Sequence, residues 1–218
     1  KIAATQNLKV LLIEQENQIG GSILSSNNYD NKINGKSQSE WKAKILDELN
    51  KLNNVKIVTN TILFAYMHYN YLLAIQDLQP NKGTDKKNLI RQVVWKIRAK
   101  KVILATGSIE RPLTFNNNDR PGIMLANSVS KYLNGYGINL GKKIVIFTNN
   151  DSAYQTAIDF HYRNINIVAV VDVRNNLEGE LPLKVKNLGI KIYTSSIILD
   201  TSGRKKIKSV HIKKINQN

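Results

Sequence analysis

The stretch KKIVIFTNNDSAYQTAIDFHYRNINIVAVVDVR, residues 142–174, constrains the fold more than any other part of the chain. Two continuous apolar runs, Ile144–Phe147 and Ile167–Val171, read as strands buried on both faces, and the segment between them can form a crossover helix. Parallel strands joined in this way leave few topologies, since the crossover is nearly always right-handed. The pattern predicts a Rossmann-like unit whose second strand ends at Asp172. Its loop departs from the dinucleotide fingerprint: Thr148 and Asn150 occupy the first two glycine positions and Ala153 the third. Side chains at the first two positions crowd a pyrophosphate, so this unit is expected to lack tight nucleotide binding.

The same architecture is expected earlier, in KIAATQNLKVLLIEQENQIGG. Ile2, Ala3 and Ala4 read as the tail of a helix, Asn7 as its left-handed cap, and Val10–Ile13 as a buried strand closed by Glu14. A dinucleotide-binding fold places an acid at the end of its second strand, about 20 residues after the glycine-rich turn, where it accepts hydrogen bonds from the ribose. That turn is therefore expected ahead of Lys1, and Gly20-Gly21 follows the acid as a second loop.

Ser37 and Glu40 form a capping-box pattern ahead of Trp41, Ile45, Leu49 and Leu52, which predicts a helix over 39–52. Apolar runs at Val55–Thr59, Ile62–Tyr66, Tyr71–Ile75 and Val93–Arg98, with a polar turn over 80–87, predict an antiparallel meander. Val102–Ala105 reads as a further buried strand ending in Thr106-Gly107-Ser108, where Gly107 lets backbone approach a ligand. A helix over 124–134, a turn over 135–141, and three short strands over 190–215 with a turn at 201–203 complete the chain. The expected fold class is thus α/β, an FAD/NAD(P)-binding Rossmann-like two-domain fold that is expected to be incomplete at both ends. Residues 1–115 form the first domain with its meander and 116–218 the second. Without its opening strand, the first sheet is expected to expose an edge.

Composition excludes several functions. The chain has no cysteine, which removes disulfides, thiolate metal sites and the redox pair of flavin disulfide reductases. His68, His161 and His211 are scattered, so no metal site is expected. The net charge of +16 comes mostly from lysines spread along the chain, with short concentrations at Lys86-Lys87, Lys205-Lys206 and Lys213-Lys214. A solvated surface is the expected reading, and no nucleic-acid partner. No apolar run reaches the roughly 18 to 20 residues of a membrane span, so a cytoplasmic location without a membrane partner is expected.

The blocks VILATGSIERPLTFNNNDRPGIMLANSVSKYLNGYG and GKKIVIFTNNDSAY, in that order, closely resemble the α subunit family of heterotetrameric sarcosine oxidases, and LLIEQENQIGGSIL matches its acidic strand end and double-glycine loop. The resemblance covers essentially the whole chain. It implies part of a complex, with β, γ and δ subunits, that oxidatively demethylates sarcosine to glycine, forms hydrogen peroxide from oxygen and passes a one-carbon unit to tetrahydrofolate. It implies NAD in the α subunit, FMN near the partner interface and FAD on the β subunit. The piece seen here would hold cofactor and support assembly, with no catalytic residue of its own, and would be inactive alone. Carried over by motif, Glu14 would bind the adenosine ribose, flanked by Gln15 and Glu16. Gly20, Gly21 and Ser22 would lie toward the pyrophosphate, Leu63 against the adenine, and Thr106 and Gly107 along the same site. The Glu14 carboxylate would disfavour a 2′-phosphate, so NAD is expected over NADP. Ala65 stands where the family often has Gly. Glu110, Arg111 and Pro112 would redirect the chain between domains, and Asn116–Gly122 would form the linker or contribute at a flavin or partner interface. The alternatives are a related amine or opine oxidase or hydrogen cyanide synthase subunit, and a structural subunit without cofactor.

Overall fold

The computed structural model describes residues 1–25, 32–78 and 90–215, which cluster into two compact units. Described residues up to 23 and from 32 to 107 form the first, and 24–25 with 108–215 the second. The polar turn expected over 80–87 lies outside the described residues.

In the first unit a short helix α1 (Ile2–Thr5) ends before Asn7, whose φ of 57° is the expected left-handed turn into β1 (Val10–Ile13). The Asn54 side-chain amide donates to the Ala4 and Leu8 carbonyls at 2.8 and 2.9 Å, which satisfies the groups that the helix end leaves open. Strands β2 (Lys32–Ile33) and β3 (Lys36–Ser37) form a small hairpin about Asn34-Gly35, with φ of 50° and 76°. Two successive positive φ values suit a tight hairpin, and Asn-Gly adopts them at least cost. Helix α2 (Gln38–Asn50) opens on the expected capping box: Ser37 Oγ accepts from the Glu40 N–H, and Glu40 Oε2 accepts from the Ser37 N–H.

Strand β4 (Val55–Val58) then runs parallel to β1, with Val10 opposite Val55 and Ile13 opposite Val58. The meander follows as β5 (Thr61–Met67), β6 (Tyr71–Asp77) and β7 (Gln92–Arg98), antiparallel in that order, with Leu72 and Ala74 buried on its central strand. A bulge leaves Phe64 without an opposite number, between Leu63 facing Ala74 and Ala65 facing Leu73.

The strand expected over Val102–Ala105 is absent. These residues pair with no described strand, and Ile103 and Leu104 are 86% and 65% exposed. An apolar run becomes a buried strand only beside a neighbour that takes up its N–H and C=O groups, and among the described residues β1 and β4 pair solely with each other.

The second unit holds the predicted parallel crossover. Helix α3 (Ala126–Tyr136) stops at Gly137, whose φ of 69° no β-carbon favours. Strand β8 (Lys143–Thr148), helix α4 (Ser152–Tyr162) and strand β9 (Asn166–Asp172) form the β–α–β unit, and α5 (Glu180–Asn187) leads to β10 (Ile192–Tyr193). The sheet order is β10-β9-β8, all parallel. The core sits between α4 and this sheet, where Tyr154, Ala157, Ile158, Phe160 and Val170 are fully or almost fully enclosed. The chain continues through the antiparallel hairpin β11 (Ser196–Ser202) and β12 (Ser209–Lys214). Its turn lies beyond Ser202, because Thr201 and Ser202 stay in register with Val210 and Ser209. Among the described residues no helix is long and apolar enough to cross a membrane.

Candidate functional site

The first site is built where β1 ends. The Glu14 N–H donates to the Val58 carbonyl and the Glu14 carbonyl accepts from the Thr61 N–H, each at 2.9 Å, so β4 and the start of β5 hold its backbone. The Asn60 N–H donates to the Glu16 carbonyl at 2.9 Å and extends this tie. The half-buried carboxylate folds back so that Oε1 accepts from the Glu16 N–H at 3.0 Å, while Oε2 has no partner among the described residues. A carboxylate oriented by its own turn, with one oxygen available, suits a pair of vicinal hydroxyls.

Gln15 is exposed and Glu16 half-buried. Gly20 and Gly21 carry φ of 145° and 51°, and a β-carbon on Gly21 would meet nothing within 4 Å, so the loop is open there. Ser22 is exposed in the single 3-10 turn Gly21–Leu24. Leu63, half-buried, lies on β5 beside the bulge, two residues after Thr61, whose N–H bonds the Glu14 carbonyl. Thr106 and Gly107 are exposed, Gly107 has φ of 70° with open space beside it, and among the described residues no hydrogen bond joins either to Glu14 or the glycine loop.

The corresponding position in the second unit is closed. Asp172 at the end of β9 is fully buried, and its Oδ2 accepts from the Tyr154 hydroxyl at 2.9 Å. The Arg174 guanidinium pairs with the same carboxylate through Nη2 at 2.8 Å and reaches Asp151 Oδ1, also at 2.8 Å. Burial, then the bond to Asp172, pushes the Tyr154 hydroxyl well above the usual tyrosine range, and Asp172 holds Arg174 more firmly in its charged form. The loop is closed as well: Thr148 Oγ1 donates to the Asn150 carbonyl at 2.9 Å and accepts its N–H at 3.1 Å, and Asn150 Oδ1 accepts from the Ser152 N–H. With both carboxylate oxygens engaged and the loop bonded to itself, these residues do not fit a dinucleotide.

The ERP and NNDRPG blocks acquire structural roles. Glu110 lays both carboxylate oxygens on the start of α3, accepting from the Ala126 N–H at 3.2 Å and the Asn127 N–H at 2.8 Å. Residues 116–122 pack within the second unit against the β11–β12 hairpin. Asn117 Nδ2 donates to Asp200 Oδ1 at 2.8 Å, Arg120 Nε donates to Thr201 Oγ1 at 3.2 Å, and the Ile207 N–H donates to the Pro121 carbonyl at 2.9 Å. The Asn117 bond, with the Thr201 N–H, keeps the Asp200 carboxyl below its usual range. The Tyr154–Asp172–Arg174 network and the Glu110 cap were not foreseen from the sequence. An acid closing a buried strand with Arg two residues later was the available signal for the first, and nothing local signals the second. Among the described residues no group of three or more His, Cys, Asp or Glu could hold a metal ion.

These features define a Rossmann-like α/β fold, one that FAD/NAD(P)-dependent oxidoreductases of known structure share. Solved structures that share it include thioredoxin reductase from T. acidophilum, with a TM-score of 0.62 at 18% identity over 97% of this chain and 64% of that one, and L-proline dehydrogenase from P. horikoshii, at 0.61 and 20% over 99% and 37%. No family model matches the chain. The sarcosine oxidase subunit alpha of Corynebacterium sp. (strain P-1) is 34% identical over 200 residues, 91% of this chain and 20% of that protein. The chain therefore resembles sarcosine oxidase α subunits along nearly all of its own length, and it spans about one fifth of theirs.

Proposed function

We propose that this chain is the NAD-holding portion of an α-type subunit in an oxidoreductase complex that oxidatively demethylates sarcosine to glycine, with hydrogen peroxide formed and the one-carbon unit passed to tetrahydrofolate. The observation that carries the reading is Glu14, oriented by Glu16 with Oε2 unengaged among the described residues, ahead of an open glycine loop in the sequence. The residues of the first unit fit a dinucleotide. Glu14 would accept from the ribose hydroxyls and repel a 2′-phosphate. Gly20, Gly21 and Ser22 would present backbone and hydroxyl groups to the pyrophosphate, Leu63 would lie against the adenine, and Thr106 with Gly107 would line the remaining side. When bound, NAD supplies a hydride-accepting nicotinamide, while FMN and FAD belong to the interface and the β subunit of the proposed assembly.

The second unit, with Asp172 engaged internally, serves as scaffold. The similarity to sarcosine oxidase alpha subunits supports the substrate assignment. The test is the NAD content of the full-length protein purified with its partners, by acid extraction and enzymatic assay. About one equivalent per α-type chain is expected. None would leave the first unit as scaffold too.

A further inference from the structure

We infer that the β11–β12 hairpin is a docking surface for an acidic protein partner. Arg204, Lys205, Lys206, Lys208, Lys213 and Lys214 are all exposed on this hairpin, and among the described residues none of them has a carboxylate within ion-pair distance. Asp200 is the sole acid between Ser196 and Ile215, and it is bonded to Asn117. Six like charges on one hairpin repel one another, and that repulsion is relieved when carboxylates meet them.

The hairpin is also held firmly. The Arg120–Thr201 and Ile207–Pro121 bonds fasten it to residues 117–122, and Ser202 Oγ and Ser209 Oγ lie 2.6 Å apart across its strands. A cationic surface that is already ordered loses little entropy on binding. The occupant is an acidic surface rather than the same hairpin of a second copy, because its six cations would then face six others. Protein is favoured over single-stranded nucleic acid because residues 196–215 contain no Phe, Trp or Tyr on which bases could stack.

This inference rests on the proposed assembly and is tested apart from NAD binding. The full-length subunit carrying Lys205→Gln, Lys206→Gln and Lys208→Gln is co-produced with its β subunit and compared with the unaltered complex for subunit affinity, NAD content and thermal midpoint. The expected result is affinity reduced about tenfold at low salt, with little difference at high salt, while NAD content and midpoint stay unchanged. Fluorescence anisotropy with labelled poly-L-glutamate and duplex DNA completes the test, and glutamate should bind the unaltered chain more tightly. Unchanged subunit affinity in the variant overturns the inference, as does tighter binding to DNA. Loss of NAD from the unaltered complex would count against the function proposed above and leave this comparison intact.

Discussion

The Tyr154 hydroxyl lies 2.9 Å from Asp172 Oδ2, and both side chains are shut away from solvent. In a nucleotide-binding unit the acid at this strand end faces a ribose. Here it fastens α4 to β9 and pairs with Arg174. Asp172→Asn should therefore act on stability alone, costing about 1 to 3 kcal/mol, because the amide accepts less strongly from Tyr154 and Arg174 while Arg174 keeps Asp151 as a counter-charge. Urea unfolding measures this, and NAD content of the full-length protein should not change.

Tyr154 also makes stability pH-dependent. Its folded pKa is raised above the ordinary value of about 10, chiefly by burial. Its contribution is therefore fully present below pH ~10 and is lost as pH rises above that value, because the unfolded chain releases the proton first. Tyr154→Phe should remove this dependence. The stability difference between the two proteins should be constant from pH 7 to 9 and shrink toward pH 11 in urea titrations.

Glu14→Gln keeps an oxygen that can accept from the Glu16 N–H, so the turn should persist while the charge is lost. NAD affinity of the full-length subunit should fall at least about tenfold, the range for a charge-assisted hydrogen bond, and discrimination against NADP should narrow. Equilibrium dialysis with both nucleotides gives the two values. Undiminished NAD binding would remove Glu14 from the site.

Glu110 caps a helix from 16 residues away, meeting its backbone N–H groups with a negative charge. Glu110→Ala should cost about 1 to 2 kcal/mol and Glu110→Gln about half of that, since the amide still accepts a bond but carries no charge. Chemical unfolding of the two variants side by side separates the charge from the bond.

The elements that sequence made legible are those whose signals are local. The capping box announces α2, and the runs 144–147 and 167–171 announce β8 and β9 because strands buried on both faces admit few polar residues. The Asn34-Gly35 hairpin carries an equally local signal in its dipeptide. Val102–Ala105 shows the limit of such signals: its composition suits a buried strand, but pairing depends on a neighbour that no local pattern supplies. At the candidate site, the Glu14 strand end was readable, whereas the closing of the second unit depends on Tyr154, Asp172 and Arg174 meeting in space. Likewise the NNDRPG block reads as a linker in sequence and becomes a clasp only once Asp200 and Ile207 are brought beside it.

That clasp has its tightest point at Gly122. Its φ is 103°, and a β-carbon there would lie 2.7 Å from Ile207 Cγ2. Gly122→Ala therefore combines backbone strain with a clash and should cost about 2 to 4 kcal/mol. The two causes can be separated, because Ile207→Ala removes the clashing methyl and leaves φ unchanged. If both act, the double variant Gly122→Ala/Ile207→Ala should be more stable than the sum of the single losses implies, by about 1 kcal/mol or more in a double-mutant cycle. Strict additivity would mean that the backbone angle alone makes glycine necessary at this position.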